Sequence, residues 1–244
     1  MSTVTKYHTL VFRLQALTNL HAGSGDSFYG AVDKLVQRDP ATRRPTIHSH
    51  SLKGALREYF EQKSSPSFVE HVFGSAVSGD ANAAMQGRYR FFSADLLAIP
   101  VPDENVSSNT AFKLTTTERV WLDFFKKLQM LGGRNLEEES LKTALKKDLP
   151  AFFLDEAKFS EASEELPVVA RNQLDNGESK NLWYEELVPH QSVFGFIVQA
   201  ERKELIDAEL NEFVEKLNGQ VLQIGANATV GYGYCLLTVL NPIA

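Results

Sequence analysis

The chain has 244 residues, 43% hydrophobic and 23% charged, with a net charge of −6 and a single cysteine, Cys235. This is the composition of an ordinary globular chain, one large domain or two small ones. It excludes a disulfide framework and a protein that grips nucleic acid through bulk positive charge. Apolar runs such as Phe194 to Ala200 are too short to span a bilayer. The first ten residues lack the apolar core of a signal peptide, so no membrane partner and a cytoplasmic setting are expected.

His8 to Leu17 alternates Leu10, Phe12, Leu14 and Ala16 on one face, the period of a strand. Leu20 to Pro40, LHAGSGDSFYGAVDKLVQRDP, follows as a long loop carrying His21, Asp26, Asp33 and Asp39. SLKGALREYF then places Leu52, Leu56, Tyr59 and Phe60 on one helix face, with Ser51 as the expected N-cap. Arg88 to Ile99 reads as a second strand. The end of the chain repeats the order: a strand over Ser192 to Ala200, a helix from Asp207 stopped by Gly219, and a strand over Tyr234 to Leu240.

Strand–helix–strand twice predicts an α+β fold, a ferredoxin-like (RRM-like, split βαβ) sheet with helices on one face. The core is expected over about residues 1–99 and 181–244 of a single domain. Residues 100–180 form an inserted lobe, with helical spacing in Arg119 to Leu131 and in Leu136 to Lys147. Asp175 to Gly177 is a hairpin turn between two extended runs.

Common catalytic motifs fail. Ala22 occupies the first glycine position of a nucleophile elbow, and no phosphate-binding P-loop or dinucleotide fingerprint occurs. His48 and His50 lack a third ligand for zinc. Lys53 and Arg57 are one turn apart at a helix start whose free N–H groups suit phosphate; on pattern alone a solvated face is the stronger reading. Gly225, Gly231 and Gly233 make either an anion nest or a plain turn. Trp183 and Tyr184 stand beside two acids, Glu185 and Glu186, as a half-buried strand or a wall of an RNA site.

In chain order, HAGSG…VDKLVQRDP, SLKGALR, NLWYEELVP and LQIGANATVGYG resemble the RAMP superfamily. Within it they are most similar to the repeated backbone subunits of type III-B CRISPR effectors, the fourth Cmr subunit. Ala226 and Tyr232 depart from the family pattern, where a glycine and a basic residue are common, and so do His48 and His50.

The resemblance implies copies stacked in a filament along a guide CRISPR RNA, with other effector subunits. A thumb-like hairpin within Leu166 to Lys180 would wedge between base pairs of guide and single-stranded target RNA. Each subunit would cut the target by metal-dependent attack of a ribose 2′-hydroxyl, leaving 2′,3′-cyclic phosphate and 5′-hydroxyl ends. Magnesium is the implied metal, with manganese the alternative. The family's catalytic Asp maps to Asp33, also the implied metal ligand. His21 matches a family His, and Glu185 or Glu186 assists. Arg38, Ser51, Lys53, Arg57, Gly225, Asn227, Gly231 and Gly233 would contact RNA. A scaffold that binds without cutting, the sibling type III-A subunit and a guide-processing endonuclease are the alternatives. The LWYEE segment favours type III-B over its sibling, and a guide-processing enzyme needs neither Asp33 nor that segment.

Overall fold

The computed structural model describes residues 7–25, 31–75, 85–105, 110–133, 136–150, 152–201 and 206–241. The chain begins with β1 (Tyr7–Ala16), β2 (Thr46–Ile47), α1 (Ser49–Glu61), α2 (Pro66–Phe73), β3 (Tyr89–Phe91) and β4 (Ala94–Pro102). The middle holds β5 (Phe112–Thr116), α3 (Glu118–Met130), α4 (Glu138–Lys146), β6 (Phe152–Leu154) and α5 (Glu156–Glu164). A hairpin of β7 (Val168–Asp175) and β8 (Glu178–Glu186) leads into β9 (Val193–Glu201), α6 (Ile206–Leu217), β10 (Val221–Gln223) and β11 (Tyr234–Val239).

The main sheet has the order β10-β11-β1-β9-β4-β5-β6. Neighbours are antiparallel except β5 and β6. Four of its strands, β11-β1-β9-β4, carry α1 and α6 as their crossovers, which is the split βαβ arrangement. The run expected as one strand over Arg88 to Ile99 is broken at Phe92 and Ser93. Both pieces, β3 and β4, still pair with β9.

Adjacent residues of β1 point to opposite faces of the sheet, and both faces are covered. On one, Phe12 stacks on Phe196 at 4.7 Å and meets Phe213 of α6 edge-on. Phe213 in turn stacks on Phe60 of α1 at 5.1 Å. On the other, Arg13 donates to the backbone oxygens of Leu145 and Lys147 at the end of α4. A Cβ on Gly195 would lie 2.9 Å from the Phe124 ring of α3, so glycine there lets that helix lie flat against β9. The expectation of helices on one face is therefore corrected. The core helices share a face, but the inserted helices cover the other over β1 and β9, so the centre of the sheet is closed to the base stacking seen on an RRM. A nucleic-acid site is left to the loops and the hairpin.

Helix starts follow local chemistry. Thr117 and Asp155 accept hydrogen bonds from Val120 and Lys158 as side-chain caps of α3 and α5. The Ser51 cap is corrected: α1 begins two residues earlier, after an extended His48 without side-chain capping. Hence His50 lies in the first turn of the helix and His48 just before it. The hairpin turn forms where Asp-Asn-Gly places it, with Asn176 and Gly177 both at positive φ. Its strands are a separate two-stranded sheet, and residues 172–182 are all exposed. No helix among the described residues is long and apolar enough to cross a membrane.

Candidate active site

The long loop after β1 is woven into backbone pairs. Leu20 and Val188 exchange two hydrogen bonds of 2.9 Å. Ser24 donates to Leu35 and Gln37 to Ala22, so the chain folds back on itself. The returning segment then lies parallel to the end of β8, with Lys34 opposite Glu185. Its N–H donates to Tyr184, and its carbonyl accepts from Glu186. The tip, residues 26–30, lies outside the described residues and takes Asp26 with it.

This weave collects polar side chains from four distant segments. Glu185 is 1% exposed, yet both its oxygens are engaged. Oε1 accepts from Trp183 Nε1 at 2.7 Å and from Lys34 Nζ at 3.0 Å. Oε2 accepts from Asn227 Nδ2 at 2.9 Å, and Arg171 of β7 stands 3.7 Å away. Burial pushes this carboxyl up, but the bonds from Trp183 and Lys34 and the charges of Lys34 and His21 outweigh it. The group is held below the usual glutamate range.

Glu186 is the hub on the other face of β8. Its carboxylate accepts from Arg38 at 2.6 Å and from the Val36 N–H at 3.0 Å. Its backbone oxygen takes a 2.7 Å bond from Nδ1 of His21. A carbonyl only accepts, so Nδ1 carries the proton and Nε2 holds the lone pair in the neutral ring. His21 is 3% exposed. Its backbone oxygen also accepts from Ala226. A Cβ on Gly225 would lie 2.5 Å from that same oxygen, so glycine permits the close approach of the two loops.

Asp33 stands at the edge of this cluster and is exposed. Its Oδ2 accepts the Tyr184 N–H at 2.7 Å, and its own N–H donates to the Tyr184 oxygen at 3.1 Å. Oδ1 accepts from no group among the described residues. Asp39, by contrast, is spent on its own turn, accepting from the N–H groups of Ala41 and Thr42 and the Thr42 hydroxyl.

Several of the residues expected at RNA also carry bonds within the chain. Arg38 uses its terminal nitrogens on the oxygens of Arg43, Ser163, Glu164 and Glu186; it ties the loop to the end of α5, and only its Nε–H is without a bond among the described residues. Arg57 is bonded to Glu61 and to the Gly74 oxygen. The Ser51 hydroxyl accepts from Gln37, and Asn227 serves Glu185. Lys53 has no ion pair among the described residues and is the basic group of α1 left available. Gly225 and Gly231 are exposed, whereas Gly233 is buried and donates to the Asn19 oxygen.

Two residues escaped the sequence reading. Gln37, 4% exposed, bonds Gly23, Ser51 and the His48 N–H, and so joins the loop to the start of α1. Lys34 closes the Glu185 cluster. Trp183 and Glu185 at i, i+2 share one strand face, which was the available signal that this carboxylate has a fixed neighbour.

Among the described residues, no three His, Cys, Asp or Glu side chains are grouped to hold a metal ion. Glu185 and Glu186 have both oxygens taken by N–H donors, and Asp33 has one oxygen open. That donor set fits a magnesium ion shared between one carboxylate, water and substrate phosphate, and does not fit an all-protein cage.

The family model of the RAMP superfamily matches residues 13–236. A Pyrococcus furiosus protein described as the CRISPR system Cmr endoribonuclease Cmr4 is 26% identical, across 93% of this chain and 94% of that one. The fold is shared with a chain of the type III-B Cmr-beta complex bound to cognate target RNA, at a TM-score of 0.79 and 19% identity, covering 97% of this chain and 99% of that one. It is shared also with oligomeric Cmr4 from Pyrococcus furiosus, at 0.71 and 19%, covering 98% and 100%.

Proposed function

The chain belongs to the RAMP superfamily, and on that premise we propose that it is the repeated backbone subunit of a type III-B CRISPR effector. It binds guide RNA and cuts the paired target RNA. The relative that carries the endoribonuclease name aligns along nearly the whole chain. The observation that carries the reading is the convergence of residues 20–25, 33–38, 183–188 and 225–233 at one end of the sheet, with Asp33 as its exposed carboxylate.

The reaction is attack of a 2′-hydroxyl oxygen on the adjacent phosphorus. A bond forms from that oxygen to phosphorus, the bond from phosphorus to the 5′-oxygen breaks, and the 5′-oxygen takes a proton. Asp33 is suited to accept the 2′-hydroxyl proton at Oδ1, because its other oxygen is anchored by the Tyr184 N–H. When a magnesium ion is bound, the same Asp33 oxygen would instead hold it together with RNA oxygens, and the ion would supply polarisation of the phosphate. His21 and Glu185 act as positioning residues, since each is buried and each holds neighbouring loops together. Base pairing supplies sequence specificity, and the exposed hairpin parts the duplex at each subunit. The buried free thiol of Cys235 fits a reducing cytoplasm.

A second reading, a scaffold that binds without cutting, draws on the same contact, because the Asp33 carboxylate also caps the Tyr184 amide. One comparison separates the two. The complex assembled with guide RNA and native subunit should cut a complementary target at regular intervals with magnesium. With Asp33→Ala it should bind the target equally well and lose at least about 100-fold in cutting, the scale for removing a group that transfers a proton. Undiminished cutting by the variant removes Asp33 from the chemistry. A native complex that binds and never cuts establishes the scaffold.

A further inference from the structure

Lys34 follows the candidate catalytic carboxylate in sequence, and a buried carboxylate holds its charge. Its side chain is 52% exposed, yet it is not free to swing. The backbone is pinned on both sides by Tyr184 and Glu186. The ammonium is 3.0 Å from Glu185 Oε1 and 4.8 Å from the centre of the Trp183 ring. Glu185 is itself immobilised by Trp183, Asn227 and the nearby Arg171. Exposed lysines in surface pairs usually trade fixed geometry for side-chain freedom. Here a buried carboxylate and an indole face hold one in place.

Charge balance points the same way. Arg171 and Lys34 are two cations around one carboxylate, and Glu185 already has neutral donors in Trp183 and Asn227. Two cations and one carboxylate leave this group with a net charge of +1, next in the chain to Asp33. An ammonium has three N–H groups. Glu185 takes one and the indole face attracts the charge without consuming a donor in line. What remains faces solvent, where substrate would lie.

The geometry points to Lys34 as a further catalytic residue, whose ammonium donates to a non-bridging oxygen of the scissile phosphate and stabilises the charge that builds as the 2′-oxygen attacks. It stays protonated throughout, so the bond changes given above are unaltered. A preorganised cation needs no rearrangement as the charge develops, which is why the fixed position matters more than the charge alone. Glu185 and Trp183 then have a purpose: they aim Lys34. This inference rests on the reading of Asp33 as part of a cutting site.

The test uses the complex assembled with guide RNA, saturating target and single-turnover conditions, with target affinity measured separately. Lys34→Gln, which keeps an N–H for Glu185 and removes the charge, should cut about 100-fold more slowly, the scale for one lost transition-state donor, at unchanged affinity. Lys34→Arg should recover most of the rate. Native cutting by Lys34→Gln, or a loss confined to affinity, overturns the proposal. A second variant covers the case in which glutamine disturbs the fold. Lys34→Cys should cut poorly until the purified subunit is alkylated with 2-bromoethylamine, which rebuilds an ammonium. Cys235 is fully buried and does not compete. No recovery on alkylation also overturns it. Asp33→Ala, run alongside, reports on the underlying reading by itself: cutting by that variant removes the site, whereas its silence with active Lys34→Gln removes only this inference.

Discussion

Glu185→Ala is expected to lower stability by about 3 kcal/mol, the lower end of the range for breaking a buried ion pair, because half-exposed Lys34 is partly screened by water. The change strands the Trp183 and Asn227 donors and leaves Lys34 and Arg171 without their shared carboxylate. Cutting should fall with it, even where the subunit remains folded, because the segment bearing Asp33 loses a side-chain tie to β8. Glu185→Gln should be milder in stability, since it keeps the shape and two of the acceptor contacts. Acid should reproduce the alanine effect. The carboxyl is held below the usual glutamate range in the folded chain, so its contribution is fully present above that range. It is lost as pH falls through the lowered folded value. Urea midpoints of native and variant protein, followed from neutral pH down to that region, give the measurement. Parallel curves at every pH would show that Glu185 makes no such contribution.

Phe213→Ala is expected to cost about 3–5 kcal/mol, the usual scale for truncating a buried aromatic. A domain of this kind holds only about 5–15 kcal/mol in total. Phe213 is completely buried and is the ring through which α6 meets the rest of the core. It stacks on Phe60, lies 5.1 Å from Tyr89 and sits edge-on to Phe12. Removing it empties the layer between α1, α6 and the sheet. The shift should appear as a lower denaturant midpoint at an unchanged slope. A loss below about 1 kcal/mol would mean that the layer collapses around the gap, which well-packed interiors do only partially.

The two substitutions sample different degrees of legibility. Phe12, Phe60 and Phe213 lie in segments whose period of two or 3.6 is plain, because a strand or helix with one apolar face has few ways to bury it. The Asp-Asn-Gly turn was equally plain, since its residues tolerate the positive φ that a tight hairpin needs. Short elements were not. Among them, α2 and α5 have eight and nine residues, and both were missed. In α5 the buried positions are Phe159 and Ser163, so it carries almost no apolar stripe, whereas the equally short α4 was legible from Leu141 and Leu145.

For the site, residue types and their order along the chain were readable, and so was the distinction between Asp33 and Asp39. Partnership was not. Arg38 and Arg57 look like phosphate ligands as a string of basic residues, and the fold spends them on carbonyls and carboxylates. Glu185 looks like an acid available for chemistry, and the fold buries it under three donors, with Arg171 nearby. Local pattern thus determined the strand and helix order and the hairpin, because these depend on neighbours a few residues away; Asp33 was singled out by family likeness. Only the tertiary structure decided that the inserted helices cover the second face of the sheet, and that Lys34 is held at the buried Glu185 carboxylate. Both depend on contacts between groups far apart in the chain, such as Arg13 to Leu145 and Lys34 to Glu185, separated by 132 and 151 positions. Chain distance carries no local signal of which groups will meet.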